Sequence, residues 1–187
     1  MPTAKLLLPA NIKPEKIRLI AICEALPEKK EDYFYSSNES LYVRNTIEAF
    51  KSGGLEVENV DDLLEKGIYL TVVVKEPRRG LVVSPEVIEK YSYDLEEELK
   101  IFPNIKAILL MGDAAIKALN FISRRRDKTR VIPAGSTYKI RSGKFYFGKT
   151  RVFPSYLPTG KNFLIEKSKR RMVAEDIQNA LQLLQFD

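Results

Sequence analysis

Glu24 follows an apolar run, Lys16-Ile-Arg-Leu-Ile-Ala-Ile-Cys23, and is the first residue placed to do chemistry. A carboxylate at the tip of a buried strand can position or deprotonate water, or stabilise a developing cation. The same acid would equally serve as an exposed or helix-capping residue. Lys75 follows a second apolar run, Ile68 to Val74, where it would meet a phosphate or pair with an acid. Between the two lie Tyr33-Phe34-Tyr35, three aromatics in a loop otherwise full of charge. Aromatic faces stack on nucleobases, each stack contributing about 1–3 kcal/mol. One or two of these rings would equally plug the core. The 187 residues contain no His and one Cys. That removes Ser-His-Asp and Cys-His catalysis, the usual zinc hydrolase sites, four-Cys iron–sulfur or zinc centres and any internal disulfide. Catalysis in this chain falls to carboxylates, Lys, Tyr or backbone groups.

Positioning such residues requires a sheet whose strand ends share one edge. The stretch Lys106-Ala-Ile-Leu-Leu-Met-Gly-Asp-Ala-Ala-Ile-Lys-Ala-Leu-Asn120 supplies its centre. Ala107 to Met111 reads as a buried strand, too uniformly apolar for a half-exposed one, and so as a parallel strand. Gly112 permits a sharp exit, and Asp113 suits a helix start, where free N–H groups and the positive dipole end favour an acid. The ends at Cys23-Glu24 and Phe153-Pro154-Ser155 are similar in kind. Side by side, their loops would form the edge at which open α/β sheets bind ligands.

The remaining elements follow in order. Lys5 to Pro14 is a leader over one end of the core. Ser40 to Phe50 is a helix, ended by Gly53-Gly54, and Val60 to Lys66 is a shorter one closed by Gly67. Ser84-Pro85-Glu86 opens a helix running to about Ile101, with Ser as cap and Pro in the first turn. Strand, crossover helix and strand from Ile68 onward make a right-handed βαβ unit. The helix after Asp113 runs to about Ser123. Ile132–Ile140 and Phe145–Phe147 read as a hairpin turning at Ser142-Gly143. Lys149 to Phe153 is the next strand, Pro154-Ser155 its rigid exit, and Phe163 to Leu184 a long terminal helix. The expected fold class is α/β: a three-layer sandwich with a central, mainly parallel four-stranded sheet and a small β-hairpin near 131–148. Residues 1–187 read as a single domain.

Composition sets the outer bounds. Hydrophobic residues make up 44% of the chain, which places it among globular proteins. No apolar run approaches a membrane span, and the N-terminus lacks the h-region of a signal peptide, so a cytoplasmic protein without a membrane partner is expected. The net charge of +6 favours polyanions. It is concentrated in Arg124-Arg125-Arg126, Lys128 and Arg130, and in Lys161, Lys167, Lys169, Arg170 and Arg171. Each cluster suits either a solvated helix face or phosphate contact, and two of them flanking a strand-end cleft favour phosphate.

Taken together, the loops resemble those of the uracil-DNA glycosylase superfamily, nearest its family 4-like branch, over nearly the whole chain from Lys16 to the terminal helix. Cys23-Glu24-Ala25 stands where the family has its water-activating Gly-Glu-Ala-Pro-Gly loop. Tyr33 to Tyr35 stands near its aromatic contact with the flipped base. Thr71-Val-Val-Val-Lys75 resembles Thr-Asn-Val-Val-Lys, and Leu110-Met-Gly-Asp-Ala-Ala115 resembles Leu-Gly-x-x-Ala. Phe153-Pro-Ser155 resembles the His-Pro-Ser loop that enters the minor groove. The order and spacing of these segments carry the resemblance; none is specific alone.

The resemblance implies a DNA glycosylase that flips a deaminated base out of the stack and hydrolyses its N-glycosidic bond. Glu24 would be catalytic, and Ala25, Phe34, Tyr35, Val72 and Phe153 would line the base pocket. Lys75, Gly112, Pro154, Ser155, Lys161, Arg170 and Arg171 would contact DNA. Neither a cofactor nor a metal is implied, because the four cluster-binding Cys of family 4 are missing. Other departures bear on activity: Val72 replaces the Asn that reads the uracil edge, Phe153 replaces a His, and Leu26-Pro27 replaces Pro-Gly. A site stripped of its base-reading polar groups loses discrimination. Two alternatives therefore stand beside the glycosylase: a catalytically silent nucleic-acid-binding module on the same fold, and a hydrolase or binder for nucleosides or other small molecules.

Overall fold

A computed structural model describes residues 6–80, 82–159 and 163–184. Its strands are β1 Leu19–Leu26, β2 Ile68–Pro77, β3 Ala107–Met111, β4 Phe145–Phe147 and β5 Thr150–Ser155. Its helices are α1 Leu41–Ser52, α2 Val60–Glu65, α3 Pro85–Leu99, α4 Asp113–Asp127, α5 Thr137–Ile140 and α6 Lys167–Gln182. All five strands form one sheet in the order β2-β1-β3-β5-β4. The sheet has five strands, where four were expected. Neighbours among β2, β1, β3 and β5 pair in parallel, and β4 adds antiparallel to β5 at one edge.

Strand residues alternate between two cores. Leu19, Ala21 and Cys23 pack with α1 and α6 on one face, while Ile20 and Ile22 pack with α3 and α4 on the other. Helices thus cover both faces of a mostly parallel sheet, giving three layers. The near-continuous apolar strands follow from burial on both faces. Helix starts are set by capping side chains, among them Ser84, the one read as a cap from the sequence. Ser40 and Ser84 accept hydrogen bonds from the backbone N–H of Val43 and Val87. Asn59 and Asp62 close a reciprocal capping box at α2.

The hairpin differs from the expected one. Thr137–Ile140 is a short helix, and the chain turns through Gly143, whose N–H donates to the Ile140 carbonyl at 2.9 Å. The hairpin that forms joins β4 to β5, with Phe147 opposite Thr150. Its two-residue loop begins at Gly148, whose φ of +60° meets the demand such loops make on their first position.

β2 is the other edge of the sheet, and Tyr35 covers part of it. Its hydroxyl accepts from the Leu70 N–H at 2.9 Å and donates to the Leu70 carbonyl at 2.7 Å. Its ring stacks on Tyr69, with centroids 5.9 Å apart and planes within 7°. A ring that occupies free backbone groups of an edge strand also blocks pairing with another chain.

Candidate active site at the β1–β3 switch point

The connection from β1 passes over one face of the sheet and that from β3 over the other, so β1 and β3 flank a topological switch point. In open α/β sheets, ligands bind in the crevice beyond the strands' carboxyl ends at such a point. Glu24 lies within the last residues of β1, which runs on to Leu26 rather than stopping at Cys23. By continuation of the β1–β3 register, it stands beside Gly112. Gly112 adopts φ +112° and ψ 166°, a conformation essentially reserved for glycine. A Cβ there would fall 2.6 Å from Glu24 Oε1. The missing side chain is therefore what admits the carboxylate.

Two groups contact that carboxylate. Oε1 faces the Ala114 N–H at 3.4 Å, in the first turn of α4. Oε2 lies 3.7 Å from an Arg78 guanidinium nitrogen. The Ala25 carbonyl next to it is held by the Tyr42 hydroxyl at 2.9 Å. The positive end of α4 and Arg78 both attract the negative charge. Glu24 keeps 15% of its side-chain surface open and Arg78 keeps 28%, so solvent reaches the pair. The contact with Ala114 is the helix-capping geometry, but it is long and occupies one oxygen only. Next door, the Cys23 thiol is pushed far above its ordinary range by burial and by the Glu24 charge. Such a thiol is inert rather than nucleophilic.

Glu24, Ala25 and Gly112 are thus brought together. Apart from the main chain of Ser155, the other residues singled out from the sequence are not, and several need correction. Lys75 points inward: its Nζ lies 2.7 Å from Glu98 Oε2, with 4% and 1% of the two side chains exposed. It also donates to Thr71 Oγ1 at 2.8 Å and to the Val72 carbonyl. β2 continues to Pro77, so residue 75 is still within the strand and faces the protein, not a phosphate. Phe34, 1% exposed, packs between Tyr33 and Tyr42 and offers no free face to a base. Tyr35 is committed to the β2 edge. Val72 and Phe153 are core residues, 0% and 7% exposed.

Pro154 and Ser155 form no protruding loop, because β5 extends through both and buries them. The Ser155 carbonyl accepts from the Gly112 N–H at 3.1 Å, beside the site. Its hydroxyl turns away and donates to Asp176 Oδ2 at 2.6 Å. Arg141 binds the same Asp176 carboxylate at 2.9 Å. This internal network ties β5 and the segment after α5 to α6.

The basic clusters also lie elsewhere. At 1.5 Å rise per residue, α4 carries Arg124 to about 16 Å from its start, toward the opposite end of the sheet. Arg125 pairs with Glu96 at 2.9 Å and lies 3.8 Å over the Tyr93 ring, while Arg126 lies over Phe147. Arg170 and Arg171 line a shallow recess of about 180 Å³ with Lys167 and Ser52, at the far end of α1. Tyr42, at the start of α1, touches the β1 tip, so by helix rise Ser52 is about 15 Å away. Lys161 lies outside the described residues.

No family model matches the chain and no curated protein matches it. Among the described residues there is no group of three or more His, Cys, Asp or Glu able to hold a metal, and no helix long and apolar enough to cross a membrane. The residue that sequence reasoning missed is Arg78. The signal was present in Lys75-Glu-Pro-Arg-Arg-Gly80: Pro77 breaks the strand, so residue 78 is the first cation past its end.

Proposed function

We propose that this chain is an N-glycosylase of uracil-DNA glycosylase type, releasing uracil or another deaminated base from DNA by hydrolysis of the N-glycosidic bond. The observation that carries the reading is the place of Glu24: a solvent-reached carboxylate at the β1–β3 switch point, admitted by a glycine that no other residue can replace there without strain. The resemblance of the loop order supports it. In the reaction, a flipped nucleotide presents its anomeric carbon to the crevice. As the bond to the base breaks, its electrons leave with the base and positive charge develops on the sugar. Glu24 orients a water against that carbon and accepts its proton, and its charge stabilises the cationic sugar. Arg78, 3.7 Å from Glu24, adds positive charge at the rim that a phosphate flanking the flipped nucleotide would approach.

The test is base release from single- and double-stranded oligonucleotides carrying one uracil, hypoxanthine or xanthine, followed by alkaline cleavage at any abasic site. Wild type should release at least one of these bases and Glu24→Gln none, with folding intact.

One observation favours a second reading. Val72 and Phe153, which stand where the family reads the base edge, are apolar and lie in the core. A nucleic-acid-binding module without hydrolysis needs no such readout. It would bind oligonucleotides with an affinity that falls steeply with salt, each phosphate contact adding about 0.9 to the logarithmic slope, and would release no base. Turnover of free nucleosides with oligonucleotides ignored would instead identify a small-molecule hydrolase.

A further inference from the structure

A cavity of about 360 Å³ lies between α4 and the segment 130–140, and Glu24 is not among its lining residues. Its outer wall is fixed in place by one side chain. Asn120 accepts from the Val131 and Ile132 N–H groups at 3.0 and 2.9 Å and donates to the Ile132 carbonyl at 2.9 Å. The amide is therefore spent on holding the wall. Ile116, Phe121, Ile132 and Ile140 give the cavity an apolar lining.

Asp113 is the one acid among its lining residues, and Lys117 neutralises it. Arg124 and Arg130 both line the cavity, both are exposed, and neither guanidinium has an ion pair or hydrogen bond among the described residues. Their neighbours differ: Arg125 is paired with Glu96, and Lys117, on the same rim, is paired with Asp113 at 2.7 Å. Two unneutralised guanidinium groups beside an apolar wall match an acid attached to a flat hydrophobic body. The planar guanidinium fork suits carboxylate or phosphate oxygens and also stacks on rings. The volume is at the small end of ligand sites, right for one or two fused rings and not for a polymer.

We propose that this cavity binds a small aromatic anion, a carboxylate or a phosphate monoester, with its acidic group on Arg124 and Arg130 and its ring against Ile116, Phe121 and Ile140. The site does not include Glu24 and does not depend on the glycosylase reading.

The test titrates the full chain with 1-naphthoate, 1-naphthyl phosphate and neutral 1-naphthol, following heat by calorimetry and the isoleucine methyls by NMR. The anions should bind at one site, about tenfold or more tighter than 1-naphthol, since charge-assisted hydrogen bonds exceed neutral ones by about that factor. The methyls of Ile116 and Ile140 should shift. In Arg124→Ala/Arg130→Ala the advantage of the anions should vanish while the melting temperature stays put, because neither side chain has a partner to lose. The tighter of the two anions identifies the acid. Equal binding of 1-naphthol, unchanged anion affinity in the double variant, shifts confined to other isoleucines, or no binding at millimolar probe would each overturn the proposal.

Discussion

Replacing Lys75 by Met tests whether that residue belongs to the fold or to a nucleic-acid surface. Glu98 is 1% exposed: one oxygen accepts from Tyr69 Oη at 2.7 Å and Thr71 Oγ1 at 2.6 Å, and the other forms an ion pair with Lys75 Nζ at 2.7 Å. Lys75→Met removes the cation and leaves a buried carboxylate with two hydroxyls. Breaking a buried pair from one side costs about 3–5 kcal/mol, a large share of the roughly 5–15 kcal/mol of a typical domain. In urea, with a slope of about 2–3 kcal/mol per molar, the midpoint should fall by about 1–2 M. Lys75→Met/Glu98→Leu should recover much of that loss, because no charge is then left stranded. Any nucleic-acid binding should keep its salt slope in the single variant. A loss below about 1 kcal/mol, the size of an exposed ion pair, would refute the buried-pair argument. So would a salt slope reduced by about one phosphate contact.

Three further outcomes are expected. Gly112→Ala should lose about 1–3 kcal/mol from its φ of +112°, and its methyl should displace the Glu24 carboxylate; denaturation together with a base-release assay reads both effects. Cys23, buried and with its thiol pushed up, should resist Ellman's reagent in the native state and react only on unfolding; rapid native labelling would contradict its placement. Burial raises the Asp176 carboxyl above its ordinary 3.8, despite hydrogen bonds from Ser155 and Arg141. A raised folded pKa contributes stability that is full below 3.8 and fades as pH rises through the folded value. The stability of wild type relative to Asp176→Asn should therefore decline as pH rises from about 3.5 toward neutrality; an increase would reverse the sign.

Much of the sheet was legible because parallel strands buried on both faces are written as uninterrupted apolar runs. Ile68 to Val74 and Ala107 to Met111 lie where those runs fall. Strand ends were less legible. β1 and β2 continue through Glu24 and Lys75, since charged residues are admitted once a glycine or a buried partner accommodates them. Ile132 to Ile140 alternates enough to suggest a strand. Asn120 spends its amide on Val131 and Ile132, however, and Thr137–Ile140 coils into a helical turn, so the hairpin forms one segment later. At the site, the order of the loops was visible in the sequence, whereas the direction of each side chain was not. Direction depends on strand parity and on distant partners: Asp176 turns the Ser155 hydroxyl inward, Glu98 captures Lys75, and Leu70 captures Tyr35. The basic clusters show the same limit, because helix rise moves a charge about 15 Å for every ten residues.

In the proposed reaction Glu24, seated against Gly112 at the switch point, is the working carboxylate. The most direct measurement is the single-turnover rate of base release for wild type and Glu24→Gln, on the best of the uracil, hypoxanthine and xanthine oligonucleotides, with melting temperatures taken alongside. A measurable wild-type rate is expected, with a loss of about 10²–10⁴-fold in the variant, the size of a positioned acid–base contribution, at an unchanged melting temperature. Equal rates in the two proteins would contradict the role of Glu24. No release of any base by folded wild type would contradict the glycosylase and leave a binding module on this sheet.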